Sequence, residues 1–348
     1  MKRIFLVLSV FMFMFVCVAC WGEETEEELT LYSSTSETNL QILLPEFEKA
    51  TGIKVNYIYD STGNIVTRIK NEAENPQADV VWLPEANILA DTQYFENYVS
   101  SNNNLYEDAF KNTTGYATNV NYAIPVLIYN SNMVTNPITG YSSLLRPELK
   151  GKIAFGDATS SSSAYNHLEN MILAMGEGAN NDEKIESDEA WDFVEDFLNN
   201  LDKKIITSSN VTLTGVVNGE YAVGLSWDTK GYEAIKAKLE GDTAYANIEV
   251  VYMSEGVVAK NSSVAIIKGT KKLDLTKKFV DWMSSQEGQD VIGEKLDGAH
   301  PILATAKLAD YKKSDTPLNY IPITTAWASS NKQNVLNRYT EVYQRIFS

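Results

Sequence analysis

Cysteine and histidine are scarce in this sequence, and acidic residues outnumber basic ones. The 348 residues include two cysteines and two histidines, and both cysteines, Cys17 and Cys20, fall at the start of the chain. The rest of the chain therefore offers no disulfide, thiol nucleophile or thiolate metal ligand. With 29 basic and 46 acidic residues the net charge is −17. Since the sequence also has no dense basic stripe, we expect no nucleic-acid partner.

The motifs of common catalytic sites are also missing. The sequence contains no GxSxG, no HExxH and no P-loop, each of which positions a nucleophile, a metal or a phosphate. Acid–base catalysis would need a positioned pair of groups, for which Asp228 with His167 or Glu85 is the candidate. We predict that the protein is not an enzyme and uses no cofactor.

Residues 1–19 have the layout of an export signal. Two basic residues precede an apolar run over 4–16, which is short for a transmembrane span, and the stretch VCVAC ends at Cys20. The pattern resembles a bacterial lipoprotein signal, which implies cleavage before Cys20 and a lipid on its sulfur; ordinary secretion is the alternative. Residues 20–28 are then the lipid anchor and an acidic tether. We expect the protein in the cell envelope, on the periplasmic side, attached to a membrane through this lipid.

The body of the chain repeats a short apolar strand, a hydroxyl-rich loop and a helical pattern. The predicted strands are 29–33, 54–59, 78–83, 151–157 and 221–228. Such alternation implies a mainly parallel sheet, and ligands of such sheets bind at the carboxyl ends of the strands. The five strands end in the polar loops STSE, DSTG, PEAN, DATSSSS and WDTKG.

Local signals predict where several helices begin, bend and end. Thr38 with Gln41 fits a capping box at the start of the first helix, which Pro45 should bend and Gly52 should end. A later helical pattern over 274–298 is interrupted by Gly288.

Two long apolar stretches, 122–130 and 247–268, suit strands that cross between two lobes. The predicted division is a first lobe of residues 29–125 and 255–304, a second lobe of 126–254, and a C-terminal helical segment, 305–348, that packs on a lobe.

The stretch FGDATSSSSAYNH (155–167) places five hydroxyl residues, Thr159–Ser163, directly before an apolar helical pattern. One interpretation is a solvated turn with a good N-cap. The other is an anion site, because the first turn of a helix presents unpaired N–H groups and partial positive charge. Taken alone, this stretch leaves both open.

The order of these segments resembles the solute-binding proteins of bacterial ABC importers, in the group that contains ferric-iron, phosphonate and sugar-phosphate binding proteins. The segments that carry the resemblance are LTLYSS near the start, FEKATGIKV (47–55), STG (61–63), NPQADVVW (75–82), LKGKIAFGDATSSSSAYN (149–166), VVNGEYAVGLSWD (216–228) and KKFVDWMSSQEGQ (277–289). The resemblance implies an α/β, two-lobed type II periplasmic-binding-protein fold with two crossover strands and a central ligand cleft. It also implies that the partners are a small-molecule or ion ligand and an ABC permease in the cytoplasmic membrane, with the protein itself a monomer.

Placed in such a cleft, the polar loops supply the predicted ligand-binding residues. These are Ser34, Thr35, Ser36, Ser61, Thr62, Glu85, Ser161, Ser162, Ser163, Tyr165, Trp227, Asp228 and Thr229. Hydroxyls and helix-start N–H groups suit a phosphate or phosphonate, which needs several donors around its oxygens. Asp228 or Glu85 could bind an ammonium group or sugar hydroxyls. We therefore predict an organic phosphate or phosphonate as the ligand.

Ferric iron is the alternative ligand. The ferric-binding relatives hold iron largely with tyrosines, including an adjacent pair, but Asp228 and Thr229 stand where that pair would be, and only Tyr165 falls where several relatives place an iron tyrosine. Glu37, Glu85, Tyr165 and Asp228 are four hard oxygen donors that could hold iron, with a synergistic anion at Ser161–Ser163. A bare divalent cation is a third possibility.

Overall fold

The computed structural model describes residues 27–208, 211–313 and 318–348. The predicted signal and lipidation residue, 1–19 and Cys20, lie outside these ranges. None of the helices within them combines the length and the apolar composition that a membrane span requires.

The strands in the described ranges, in chain order, are β1 (Glu28–Ser33), β2 (Lys54–Tyr59), β3 (Val80–Pro84), β4 (Thr118–Ala123), β5 (Pro125–Asn130), β6 (Ile153–Ala154), β7 (Val223–Trp227), β8 (Ile248–Val251), β9 (Lys260–Ile266) and β10 (His300–Pro301). The α-helices are α1 (Glu37–Thr51), α2 (Thr62–Asn71), α3 (Glu85–Leu89), α4 (Ser162–Met175), α5 (Asn181–Glu186), α6 (Asp188–Asn200), α7 (Thr212–Val217), α8 (Asp228–Leu239), α9 (Leu273–Ser284), α10 (Gln286–Lys295) and α11 (Thr325–Phe347).

These strands form two sheets. Sheet 1 has the order β10-β4-β9-β3-β1-β2, and sheet 2 has the order β6-β7-β5-β8. The expectation of a mainly parallel sheet was wrong: β1 pairs in parallel with β2 and β3, and β6 with β7, whereas the other five pairings are antiparallel. The reason is that no helix separates β4 from β5 or β8 from β9, so these strands do not belong to strand–helix–strand repeats.

The chain passes between the sheets twice. It leaves β4 of sheet 1 and enters β5 of sheet 2 across Ile124, and it returns from β8 to β9 through residues 252–259. The two stretches predicted as crossovers are therefore each divided between the sheets. The predicted lobe boundaries fall close to these two connections and stay a prediction.

Two helix boundaries differ from the local sequence signals. Ser36, not Thr38, caps α1, because its side chain accepts a hydrogen bond from the backbone N–H of Asn39 at 3.4 Å. Likewise α9 and α10 are separated at Ser285, whose side chain accepts from the N–H of Gly288 at 3.2 Å. Hydroxyl capping thus decides both positions.

The first helix otherwise behaves as its sequence indicates. Pro45 lies inside α1, and Gly52 ends the helix in the left-handed conformation with φ of 74°. A residue with a side chain would be strained there, which accounts for the glycine.

The C-terminal segment is helical only in part. Helix α11 covers Thr325–Phe347, while Lys312 ends a short 3-10 helix, Asp310–Lys312, before it. The buried ammonium of Lys312 donates to the carbonyls of Ile292, Leu296 and Ala299 at the end of α10. This contact between a cation and a helix C-terminus holds the stretch against α10.

The second crossover is held by a buried amide. Asn170 on α4 is fully buried. Its side chain donates to the carbonyl of Gly256 at 2.9 Å and accepts from the N–H of Val258 at 2.8 Å. The segment that leads into β9 is therefore fixed to α4 through two backbone groups that have no access to water.

Replacing Asn170 with leucine should leave both backbone groups buried and unpaired. Because each such group costs about 1–3 kcal/mol, we expect Asn170→Leu to lower the free energy of unfolding by about 2–5 kcal/mol. Chemical denaturation measures this. Asn199→Leu, at an exposed position on α6, is the control and should change stability by less than about 0.5 kcal/mol. Equal effects in the two variants would contradict the assignment.

Candidate functional site

A cleft with a volume of about 620 Å³ lies between the two sheets. Its wall is formed by the starts of α2, α4 and α11, the ends of β3 and β7, strand β4, and the connection into β9. Elements of both sheets and both crossovers therefore meet around one space. Volumes of this order are typical of pockets for small organic molecules.

The hydroxyl run before α4 divides into two parts. The backbone N–H and hydroxyl of Thr159 turn back onto Asp157, at 2.8 and 2.9 Å. Ser161 caps the helix, accepting from the N–H of Ala164 at 3.3 Å. Ser162, the first helical residue, lines the cleft, while Ser163 is buried. Part of this stretch is thus a capped turn, and one serine faces the cleft from a helix N-terminus. The anion site stays a prediction.

Three charged side chains in the cleft wall were not indicated by the sequence: Glu169, Lys260 and Lys332. Lys260 forms an ion pair with Glu169. The Lys332 ammonium lies 4.9 Å from the centre of the Tyr165 ring. Lys260 is the first residue of β9, so its place beside the cleft could have been predicted from the crossover assigned to that segment. No pattern in the sequence indicates that Lys332 lies in the cleft.

Tyr165 stands between these charges. It lines the cleft, and its hydroxyl donates to the Glu169 carboxylate at 3.4 Å. Burial and the neighbouring carboxylate raise the pKa of the Tyr165 phenol. The side chain is therefore a neutral hydrogen-bond donor at physiological pH in this arrangement.

The predicted hydroxyls of sheet 1 reach the cleft at one point. Thr62, the first residue of α2, lines it and donates to the Ser34 hydroxyl at 3.0 Å. Ser34 therefore does not line the cleft itself but supports Thr62 through this hydrogen bond. Ser61 and Ser36 cap α2 and α1. Thr35 lies next to Ser36, and its N–H donates to Ser33. Ser61, Ser36 and Thr35 do not line the cleft.

Glu85 lies behind the wall and joins two elements that form it. Its carboxylate accepts from the side chain of Asn261 at 3.2 Å and from the hydroxyl of Thr325. Both partners line the cleft. Glu85 therefore connects the start of α11 to the start of β9.

Asp228 and Thr229 are not where the sequence led us to expect them. Trp227 ends β7 and lines the cleft, but α8 begins at the next residue and turns the chain away from the cleft. Asp228 is fully buried, with Oδ2 accepting from the N–H of Ile124 at 2.9 Å and 2.8 Å from His300 Nε2. Thr229 is exposed and lines a different surface depression.

The four oxygen donors of the iron alternative are not gathered in one place. Glu37 is exposed and accepts from the Tyr57 hydroxyl at 3.1 Å. Glu85 and Asp228 are engaged as described, and only Tyr165 lines the cleft. Among the residues that the structure describes, no group of three or more histidine, cysteine, aspartate or glutamate side chains is placed to hold a metal ion.

Residues 43–319 match the family described as bacterial extracellular solute-binding protein. The chain belongs to this family. A relative in Sinorhizobium fredii, described as a probable ABC transporter periplasmic-binding protein, is 25% identical over 296 residues, which cover 84% of this chain and 78% of the relative. The predicted function as a solute-binding protein of this transport class is confirmed at the level of the family.

Two solved structures have the same fold. The periplasmic binding protein AfuA from Actinobacillus pleuropneumoniae, with fructose-6-phosphate bound, superposes with a TM-score of 0.69 at 22% identity, covering 92% of this chain and 99% of AfuA. Ferric iron-binding protein A from Mannheimia haemolytica, in an open conformation, gives 0.75 at 19% identity, with 92% and 99% covered. At these identities the likeness is one of fold, and the predicted two-lobed type II periplasmic-binding-protein fold is confirmed.

The buried histidine of α4 positions the cleft wall. His167 Nε2 lies 2.8 Å from the carbonyl of Ser226, and its Nδ1 lies 3.0 Å from the Tyr141 hydroxyl. Burial lowers the pKa of His167 to about 4, so the ring is neutral, with Nε2–H donating and Nδ1 accepting. The contact connects α4 to Ser226, the residue before Trp227. It therefore holds two parts of the cleft wall together, α4 and the end of β7.

His167 should make the fold sensitive to acid. Below pH 6.5 the unfolded chain binds a proton that the folded chain does not bind until about pH 4, so stability falls as the pH drops through this window, by up to about 3 kcal/mol. His167→Gln keeps a donor for the Ser226 carbonyl but cannot titrate. Urea unfolding at pH 7, 5.5 and 4.5 should therefore show a smaller loss of stability in the variant. The same loss in both proteins would contradict this role.

Proposed function

We propose that this protein captures a solute bearing a phosphate or phosphonate group in the cleft between its sheets and delivers it to an ABC permease. The observation that carries the proposal is the position of Ser162. It opens the 14-residue helix α4 and faces a cleft whose wall also holds Lys260 and Lys332. A helix N-terminus offers unpaired N–H groups and partial positive charge. Lys332 adds a full charge, whereas the charge of Lys260 is paired with Glu169.

The size and lining of the cleft support an organic ligand. A volume of about 620 Å³ is far larger than a single ion requires and falls in the range of small-molecule pockets. Asn87, Asn121 and Asn166 line it, and amides both donate and accept hydrogen bonds. They suit the hydroxyl or amino groups of the part of the solute that carries no phosphorus. The fructose-6-phosphate in AfuA, a protein of the same fold, is a precedent for such a ligand.

Ferric iron is the second candidate, and Tyr165 together with the likeness to ferric iron-binding protein A favours it. Against it, Tyr165 is the sole member of the predicted iron set in the cleft wall. The phosphate or phosphonate ligand is therefore the better supported of the two.

The fold supports delivery to the permease. The two connections between the sheets, at Ile124 and at 252–259, can act as hinges, and closure about such hinges is how periplasmic binding proteins enclose their ligands. A lipid on Cys20, as the pattern of residues 1–20 indicates, would hold the protein beside its permease. The family is described as solute-binding, and we propose that this chain binds its solute without turnover.

The proposal is tested by placing a negative charge where the anion would bind. Ser162→Asp adds an acidic group to the first turn of α4, which favours the helix but repels an anion. We expect fructose 6-phosphate or methylphosphonate to bind the unsubstituted protein, and Ser162→Asp to weaken that binding roughly a hundredfold or more. The protein is produced from residue 20 onward with Cys20→Ser, and isothermal titration calorimetry measures the affinity.

Thr243→Asp is the matched control. It adds the same charge at an exposed position outside the cleft wall and should leave the affinity unchanged within about twofold. Native mass spectra recorded directly after purification identify any cargo carried from the cell. An iron adduct, or full binding by Ser162→Asp, would contradict the proposal.

A further inference from the structure

Lys332, on the C-terminal helix α11, is a cation of the cleft wall that no carboxylate of the described residues pairs with. Lys260, the other lysine of the wall, forms an ion pair with Glu169. Lys332 instead lies over the ring of Tyr165, with its ammonium 4.9 Å from the ring centre. This contact with an aromatic face orients the ammonium while leaving its hydrogen-bond donors available. The wall therefore carries an ammonium whose charge is not balanced by an adjacent carboxylate.

Helix α11 is anchored on both sides of this lysine. Before it, the indole N–H of Trp327 donates to Asp182 at 2.6 Å. After it, the guanidinium of Arg338 stacks 4.7 Å from the ring of Trp191, and the hydroxyl of Tyr339 accepts from the N–H of Ala158 at 3.4 Å. Since Ala158 belongs to the loop that leads into α4, the position of α11 is fixed relative to the helix that carries Ser162.

The start of α11 also touches the opposite side of the cleft. The hydroxyl of Thr325 donates to the carboxylate of Glu85, which follows β3 of sheet 1. Helix α11 therefore contacts elements on both sides of the cleft, and its residues Thr325, Ala328, Ser329 and Lys332 form part of the wall.

We propose that α11 is a ligand-binding element and that Lys332 provides the positive charge that pairs with the anionic group of the solute. This inference rests on the proposed function. Ser162 and the free N–H groups of α4 donate to the oxygens of the anion from one helix, and the Lys332 ammonium reaches it from the other. Because a phosphate monoester gains its second negative charge near pH 6, Lys332 also selects the doubly charged form.

Three substitutions test the proposal, with fructose 6-phosphate and methylphosphonate as probes. Lys332→Gln removes the charge, Lys332→Arg keeps it, and Arg345→Gln removes a charge from the same helix at an exposed ion pair with Glu195, outside the cleft wall. We expect Lys332→Gln to weaken both probes roughly ten- to hundredfold. Lys332→Arg should recover most of the loss, and Arg345→Gln should bind within about twofold of the unsubstituted protein.

The pH dependence separates a direct contact from a structural effect. Between pH 5.5 and 7.5 the affinity of the unsubstituted protein for fructose 6-phosphate should rise as the ester loses its second proton, and this rise should be clearly smaller in Lys332→Gln. If the unsubstituted protein binds the probes and Lys332→Gln binds them equally well, or if Arg345→Gln loses as much affinity, the role of Lys332 is overturned and the proposed function stands. If the unsubstituted protein binds neither probe, both are overturned.

Discussion

The buried carboxylate of Asp228 is the contact on which the arrangement of the two sheets depends. Its Oδ2 accepts from the N–H of Ile124, and the N–H of Asp228 donates to the carbonyl of Ile124, both at 2.9 Å. His300 Nε2, on a strand of sheet 1, lies 2.8 Å from the same oxygen. Three parts of the chain therefore meet at one group: the end of sheet 2, the first crossover, and the edge of sheet 1. Burying a carboxylate costs several kcal/mol unless it has partners, so this junction tolerates little displacement.

That junction also decides what lies in the cleft. Asp228 is buried against Ile124 of the first crossover, and Trp227, one residue earlier, lies in the cleft wall. A second buried polar contact, from His167 to the carbonyl of Ser226, fixes the same strand end to α4. Ser162 and Tyr165 on α4 and Trp227 on β7 thereby line the same cleft. The cleft is thus organised by groups that do not themselves reach it.

The sequence predicted the fold class and the start of α4, because both depend on local patterns. Apolar strands followed by capped helices mark β1, β2, β3 and β7, and the run ending at Ser163 marks the start of α4. Distant contacts account for what was missed. Neighbouring residues at a strand end can point to different places. Trp227 and Asp228 were both predicted to bind the ligand, but only Trp227 lines the cleft, and Asp228 is buried. Lys332 reaches the cleft because α11 packs against α3 and α6, which no spacing in the sequence reveals.

We propose that the start of α4 and Lys332 together hold a phosphorus-containing group. The most direct measurement is a crystal structure of the protein with its native cargo, with diffraction data collected on both sides of the iron absorption edge. We expect a tetrahedral group within hydrogen-bonding distance of the N–H groups at residues 162–163 and of the Lys332 ammonium, with no anomalous signal from iron. An iron atom bound by Tyr165, or a cargo that leaves the start of α4 empty, would contradict the account.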